Sequence, residues 1–129
     1  MEPVGWDIST QNKGYYLFTI PRKRFALKPD IVMRHEERVV VLDTKWKQLI
    51  NNEHKNYGIS QVDMYQMYAY SKKYKTSEIW LLYPINNEMK DHQDISFDSE
   101  DGTKINIFFV DVANIEESLN KLKIKISDR

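Results

Sequence analysis

Two aspartates and a lysine stand where buried strands rarely carry charge. In "LKPDIVMRHEERVVVLDTKWK", Leu27 to Lys47, the apolar run Val39–Leu42 ends in Asp43-Thr44-Lys45. A second apolar run, across the polar turn "RHEER", begins at Asp30. A hairpin turn centred on Glu36-Glu37 sets Asp30 opposite Asp43. Directly opposed residues of an antiparallel pair share a face, with Cβ atoms about 4.5–5.5 Å apart. Side chains alternate along a strand, so Lys45 shares that face with Asp43. A slip of one residue would scatter all three.

Such a grouping has an electrostatic cost. Like charges opposed in a sheet destabilise it, and a carboxylate out of water needs a partner or takes up a proton. Lys45 offers one positive charge; a divalent cation offers two. Hard oxygen ligands on few positions suit Mg²⁺, which keeps several of its waters. An ion beside a lysine could polarise a phosphate oxygen and activate water, with the amine positioning that water or offsetting charge on phosphorus. The reaction class is phosphodiester hydrolysis. From these residues alone, a solvent-exposed ion pair past the strand end, worth about 0–1 kcal/mol, remains an open alternative.

The elements that would position these residues can be read along the chain. "YYLFTI", Tyr15 to Ile20, has the aromatic and β-branched content of a strand, interrupted by "PRKR". "FALKPDIVM" and "RVVVLDTKW" form the strand pair around the turn, and "NNEHKNYG" is a loop. "ISQVDMYQMYAYSKKY", Ile59 to Tyr74, lacks Gly and Pro and ends in lysines suited to a helix C-terminus. "EIWLLYP" is a short buried strand. "NNEMKDHQDISFDSEDGT" is a polar excursion, a long loop or hairpin. "KINIFFVDV" is a further strand and "NIEESLNKLKI" a terminal helix, with Asn114 as its expected N-cap and Glu117 three residues on. The order β-β-β-α-β-β-α predicts an α/β or α+β sheet with helices packed on it.

Composition bounds the rest. The 129 residues suit one domain spanning 1–129, with residues 1–13 an irregular stub. There is no cysteine, which excludes disulfides and thiolate metal sites. No apolar run approaches the ~20 residues of a membrane span, and "MEPVGWDIST" lacks the blocks of a signal peptide; a cytoplasmic protein with no membrane contact is expected. Formal net charge is zero, which argues against a molecule coated in positive charge but leaves room for a local basic groove. The lysines of "SKKYKTSE" and "NKLKIKISDR" read as solvated faces. His35, His54 and His92 lack ligand spacing, so a zinc site is not expected, and His35 in the turn is expected to face solvent. Trp46 is expected in the core. Neither a Gly-rich phosphate loop nor a G-x-S-x-G is present.

Pro29-Asp30 followed by Asp43-Thr44-Lys45 on the next strand resembles the PD-(D/E)XK nuclease superfamily, and Gln66 and Tyr70 resemble the Gln-x-x-x-Tyr element found in several of its branches. The longer pattern "LKPDIVM … VLDTKWK … VDMYQMYAYSKKY … IWLLYP" is similar to the C-terminal nuclease domain of McrC proteins, the endonuclease subunits of McrBC-type modification-dependent restriction systems. This resemblance covers roughly Phe25 to Pro84. It implies a restriction-endonuclease-like mixed sheet flanked by helices and a DNA-cleaving activity. Asp30, Asp43 and the backbone carbonyl of Thr44 would hold Mg²⁺, with Mn²⁺ a substitute. Lys45 would be the catalytic lysine, and Gln66 and Tyr70 would line the site or touch the DNA backbone. It further implies an McrB-like AAA+ GTPase partner and assembly into oligomers that place two sites on two strands of DNA.

The helix allows a check, because Gln61 and Tyr65 have the same spacing as Gln66 and Tyr70. At about 100° per residue, Gln66 and Tyr70 fall near Ile59, Val62 or Ala69, the residues expected against the sheet. Gln61 and Tyr65 fall on a more polar side, so Gln66 and Tyr70 are favoured. Two departures from the family pattern bear on activity. Many members carry an acidic residue on a helix before the first strand, and here only Glu2 and Asp7 precede it, on no evident helix. The family's N-terminal, partner-engaging portion has no counterpart in these residues. A catalytically silent module that binds DNA or a partner protein is therefore the alternative function.

Overall fold

The computed structural model describes residues 6–10, 15–18, 24–27 and 29–127. Its centre is a six-stranded sheet in the order β1-β4-β5-β6-β8-β7. Strands β4 (Ile31–His35) and β5 (Arg38–Thr44) make the predicted hairpin. Ile31 pairs with Leu42 and His35 with Arg38, which is the register that sets Asp30 opposite Asp43. The two-residue turn at Glu36-Glu37 bends the chain with Glu36 at φ 56°, the left-handed conformation that tight hairpin turns demand.

β6 (Glu78–Pro84) runs parallel to β5, and β8 (Lys104–Val110) runs parallel to β6. β7 (Ile95–Asp98), a strand inside the polar excursion, closes one edge antiparallel to β8. At the other edge β1 (Asp7–Thr10) pairs with β4, where an irregular stub was expected. Trp6 and Ile8 both pack on the core there, and their alternation is the strand signal that the polar neighbours obscured. The expected continuous strand "FALKPDIVM" is also divided. Its first part, β3 (Arg24–Leu27), pairs with β2 (Tyr15–Phe18) in a separate two-stranded sheet. The division falls around Pro29, which has no N–H to give a ladder. Glu2, the Pro21–Lys23 portion of the "PRKR" interruption and the last two residues of "YYLFTI" lie outside the described residues.

Strand alternation divides the core between the two faces of the sheet. Val41, Ile79, Leu81 and Tyr83 join Met67 and Tyr70 of α1 (Gln61–Lys73). Val40, Leu42, Trp80 and Leu82 join Leu122 and Ile126 of α2 (Ile115–Ser127). Each buried aliphatic side chain contributes about 1.5–3 kcal/mol, so both helices are held by the sheet rather than by their own propensity. Ser60 caps α1, its hydroxyl accepting from the Asp63 N–H at 3.3 Å. α2 is entered through a 3₁₀ turn, Val112–Asn114. The capping residue of that turn is Asp111, which accepts from the Ala113 N–H at 3.0 Å; Asn114, the expected N-cap, directly precedes α2. The expected α/β class is therefore the observed one: a mixed sheet with helices, consistent with a nuclease-like fold. Among the described residues no helix is long and apolar enough to cross a membrane.

Candidate active site

The backbone ladder between β4 and β5 stops at Ile31 and Leu42. Past that point carboxylates take over as acceptors. The Asp30 N–H donates to Asp43 Oδ1 at 3.0 Å. The Thr44 N–H and hydroxyl donate to Asp30 Oδ2 at 2.8 and 2.5 Å. Each aspartate thus ties one oxygen to the facing strand. The second oxygen of Asp43, Oδ2, lies 3.2 Å from Lys45 Nζ.

Lys45 is the hub of the cluster. Its amine also donates to Gln66 Oε1 at 2.7 Å and lies 3.5 Å from Asp63 Oδ1. Lys47 reaches the other oxygen of Asp63 at 3.4 Å. These are not surface pairs in the main: Asp43 is 5% exposed and Asp63 9%, while Lys47 is the one member open to solvent. Burial pushes the Asp43 carboxyl above its ordinary value, the nearby charge of Asp30 pushes it the same way, and the Asp30 N–H and the Lys45 amine oppose the rise.

β6 contributes a neighbour. Tyr83 lies on the core face shared with Val41 and Leu81, one strand over from Lys45, whose N–H bonds the Leu82 carbonyl at 2.9 Å. Its hydroxyl is buried and has no hydrogen-bond partner among the described residues. Burial raises the Tyr83 phenol, and the charges of Asp63 and Asp43 raise it further. It stays a donor at neutral pH, within reach of the charges of Asp63 and Asp43.

Of the residues singled out in the sequence, the structure brings together Asp30, Asp43, Thr44, Lys45 and Gln66. Gln61 and Tyr65 are exposed and bond each other instead. Tyr70 lies one turn beyond Gln66, fully buried and edge-on to Tyr74 with ring centroids 6.4 Å apart. Gln66 lies on the side the helix wheel gives it, against Lys45, but Val62, expected on the same side, is 73% exposed; Asp63, Met67, Tyr70 and Ser71 are the buried positions of α1. Trp46 is 72% exposed: it follows the last residue of β5 by two, and no described element covers it. His35 ends β4, half-buried, with its ring 5.5 Å from that of Trp6. Asp7 is exposed and pairs in register with Arg34 near the turn of the hairpin, so it supplies no ligand near Asp30.

Asp63 and Tyr83 were missed. Asp63 follows the Ser60 cap by three, a spacing that ordinarily marks a capping residue, and its carboxylate serves Lys45 and Lys47 instead. Tyr83 was hidden in a run legible only as a buried strand.

Asp30, Asp43 and Asp63 formally outnumber Lys45 and Lys47 by one charge. Among the described residues no group of three or more His, Cys, Asp or Glu could hold a metal. Asp30 and Asp43 could offer an ion at most two carboxylates, beside any backbone carbonyl. That suits Mg²⁺, which binds through one or two carboxylates and keeps its waters, and the Tyr83 hydroxyl suits a donor to one of them. The buried excess of negative charge fits a cation.

Asp43 and Tyr83 lie toward the carboxyl ends of parallel strands, the edge where open α/β sheets bind their ligands. Fold and cluster together define an α/β protein with a charged site at that edge. The family model for "McrBC 5-methylcytosine restriction system component" matches residues 1–84, and the chain belongs to that family, as a component of a restriction system. Every member of the cluster lies inside the matched segment. No curated protein matches the chain.

Proposed function

We propose that the chain is a Mg²⁺-dependent DNA endonuclease of the PD-(D/E)XK type, the cleavage component of a modification-dependent restriction system. One observation supports this above the others: a buried carboxylate, Asp43, sits 3.2 Å from Lys45 and is hydrogen-bonded to Asp30 of the facing strand. Asp30, Asp43 and the Thr44 carbonyl would hold the ion. When bound, Mg²⁺ supplies Lewis acidity toward a phosphate oxygen and the attacking water. Lys45 holds an ammonium beside the reacting centre, where it offsets charge developing on phosphorus. Gln66 accepts from that ammonium and orients it. Tyr70 seats the helix that carries Gln66. Recognition of modified DNA falls to a partner, an McrB-like GTPase, and pairing of two copies would set a site on each DNA strand.

The test is Mg²⁺- or Mn²⁺-dependent nicking of supercoiled plasmid carrying 5-methylcytosine. Wild type nicks; Asp43→Ala and Lys45→Ala do not. Equal behaviour of all three at matched thermal stability would leave the silent binding module as the answer. Nicking confined to RNA or branched substrates in a parallel panel would keep the chemistry and change the substrate.

A further inference from the structure

We infer that Asp63 is a positioning residue that holds the Lys45 amine partly away from Asp43, so that Asp43 keeps an oxygen available for a cation. The inference rests on the metal-dependent reading above. Its starting point is a competition inside the cluster. A lysine this close to a buried carboxylate neutralises it, and a fully neutralised carboxylate is a poor cation ligand. Lys45 is prevented from collapsing onto Asp43 by two acceptors on α1. Gln66 Oε1 takes one N–H at 2.7 Å, and Asp63 Oδ1 draws the amine from 3.5 Å, against 3.2 Å to Asp43 Oδ2. The amine is shared among three oxygens.

The local structure holds Asp63 to this task. It lies in the first turn of α1, fixed by the Ser60 cap on its own N–H, so its carboxylate leaves the helix at a set place. Such a position is favourable for a negative charge, since the helix N-terminus is positive. Lys47 binds the outer oxygen of Asp63 at 3.4 Å, and its solvent-exposed side chain keeps Asp63 from being an unpaired buried charge. The groups facing the Lys45 amine are thus Asp43 from β5 and Asp63 and Gln66 from α1. Lys47 and the Tyr83 hydroxyl of β6 stand behind them. A capping role alone would leave the carboxylate at the helix end; this one crosses to the sheet.

The experiment is a Mn²⁺ titration followed by electron paramagnetic resonance on the full chain. Wild type, Asp63→Asn, Lys45→Met and the double variant are compared, with thermal unfolding as a check. Asp63→Asn is expected to weaken Mn²⁺ binding by roughly tenfold, the size of a coupling between contacting residues. In the Lys45→Met background the same change should cost less than about twofold, because the amine it restrains is gone. Lys47→Met changes an exposed side chain and leaves Asp63 paired with Lys45 alone, a cost that the thermal unfolding check reads directly. It should tighten Mn²⁺ binding in the presence of Lys45 by freeing Asp63 to draw the amine further. Equal losses from Asp63→Asn with and without Lys45 would overturn the inference, as would no loss at all, or no tightening in Lys47→Met should Asp63→Asn not fold. In those cases a wild type that binds Mn²⁺ and nicks DNA would leave the endonuclease reading standing. A wild type that does neither would end both.

Discussion

Strands β5 and β6 carry ionic groups at both ends, and the two ends are built oppositely. At the amino ends Arg38 meets Glu78. The guanidinium donates twice to the carboxylate, at 2.7 and 2.5 Å, and once to the Ile126 carbonyl at 2.7 Å. One cation meets one anion, and the hydrogen bond to Glu78 raises the Arg38 pKa. At the carboxyl ends three carboxylates stand against two amines, the Asp43 carboxyl is pushed upward by burial, and a tyrosine hydroxyl beside them lacks a partner among the described residues. A closed pair is what a fold uses to join β5, β6 and α2. An open, unbalanced group destabilises the apo protein and is retained where a ligand completes it. The contrast lies within two strands of one sheet, though on opposite faces: the closed pair meets α2 and the open group meets α1.

The open end should therefore show a trade between activity and stability, and this is the largest effect expected. Asp43→Asn should lower nicking by about 10²–10³-fold or more and yet raise the metal-free unfolding temperature, by roughly 2–4 °C. The sign follows from the direction of the shift. The folded Asp43 carboxyl titrates above its unfolded value, so its favourable contribution exists at low pH and is lost as pH rises through the folded pKa. At neutral pH the ionised group works against folding. The metal-free wild type should lose stability over that rise, on the alkaline side of the usual carboxylate range, while Asp43→Asn stays flat there. Saturating Mg²⁺ should raise the wild-type midpoint by linkage and leave Asp43→Asn unmoved. Thermal scans across pH, with and without Mg²⁺, decide each point.

How far this end could be read from sequence depended on range. The register of β4 on β5 was legible because a two-residue turn and one buried face admit few pairings, and it placed Asp30 against Asp43. Lys45 followed from alternation alone. What escaped were contributions from elements brought in by long-range packing. Asp63 drew no notice, because nothing local reports that two lysines just beyond β5 will reach its carboxylate. Tyr83 read as one more aromatic in a buried strand. Val62 was placed inward because the apolar positions of α1 do not fall on one stripe; its buried face is Asp63, Met67, Tyr70 and Ser71, half of it polar. A helix that serves a charged site cannot advertise its inner face by hydrophobicity. β1 was missed for a related reason: among the described residues of that polar stretch, Trp6 and Ile8 are the ones that pack on the core.

The closed end should respond in the reverse manner. Arg38→Met removes three donated hydrogen bonds and leaves Glu78 and the Ile126 carbonyl short of their donor. Hydrogen bonds to charged groups are worth about 1.5–3 kcal/mol, and with both side chains about a quarter exposed the loss should come to roughly 2 kcal/mol. Activity per folded molecule should not change. A fall in nicking that exceeds the fall in folded fraction would mean that the two ends communicate, and the division between them would have to be redrawn.

The smallest effect belongs to Trp46, which follows Lys45 directly. A tryptophan beside a buried cluster invites the assumption that it shields that cluster, in which case Trp46→Ala would cost as much as other buried aromatics, about 3–5 kcal/mol. Trp80, at 2% exposed, fits that description. Trp46, at 72%, does not: β5 ends at Thr44, and no described strand flanks the side chain beyond the sheet. Trp46→Ala should leave the unfolding free energy within about 0.5 kcal/mol of wild type and should leave Mn²⁺ affinity unchanged, since the cluster's contacts come from Asp30 and α1. A destabilisation of the Trp80 size would show that the carboxyl end of β5 is covered in solution, and the open end of the comparison would then be a closed one.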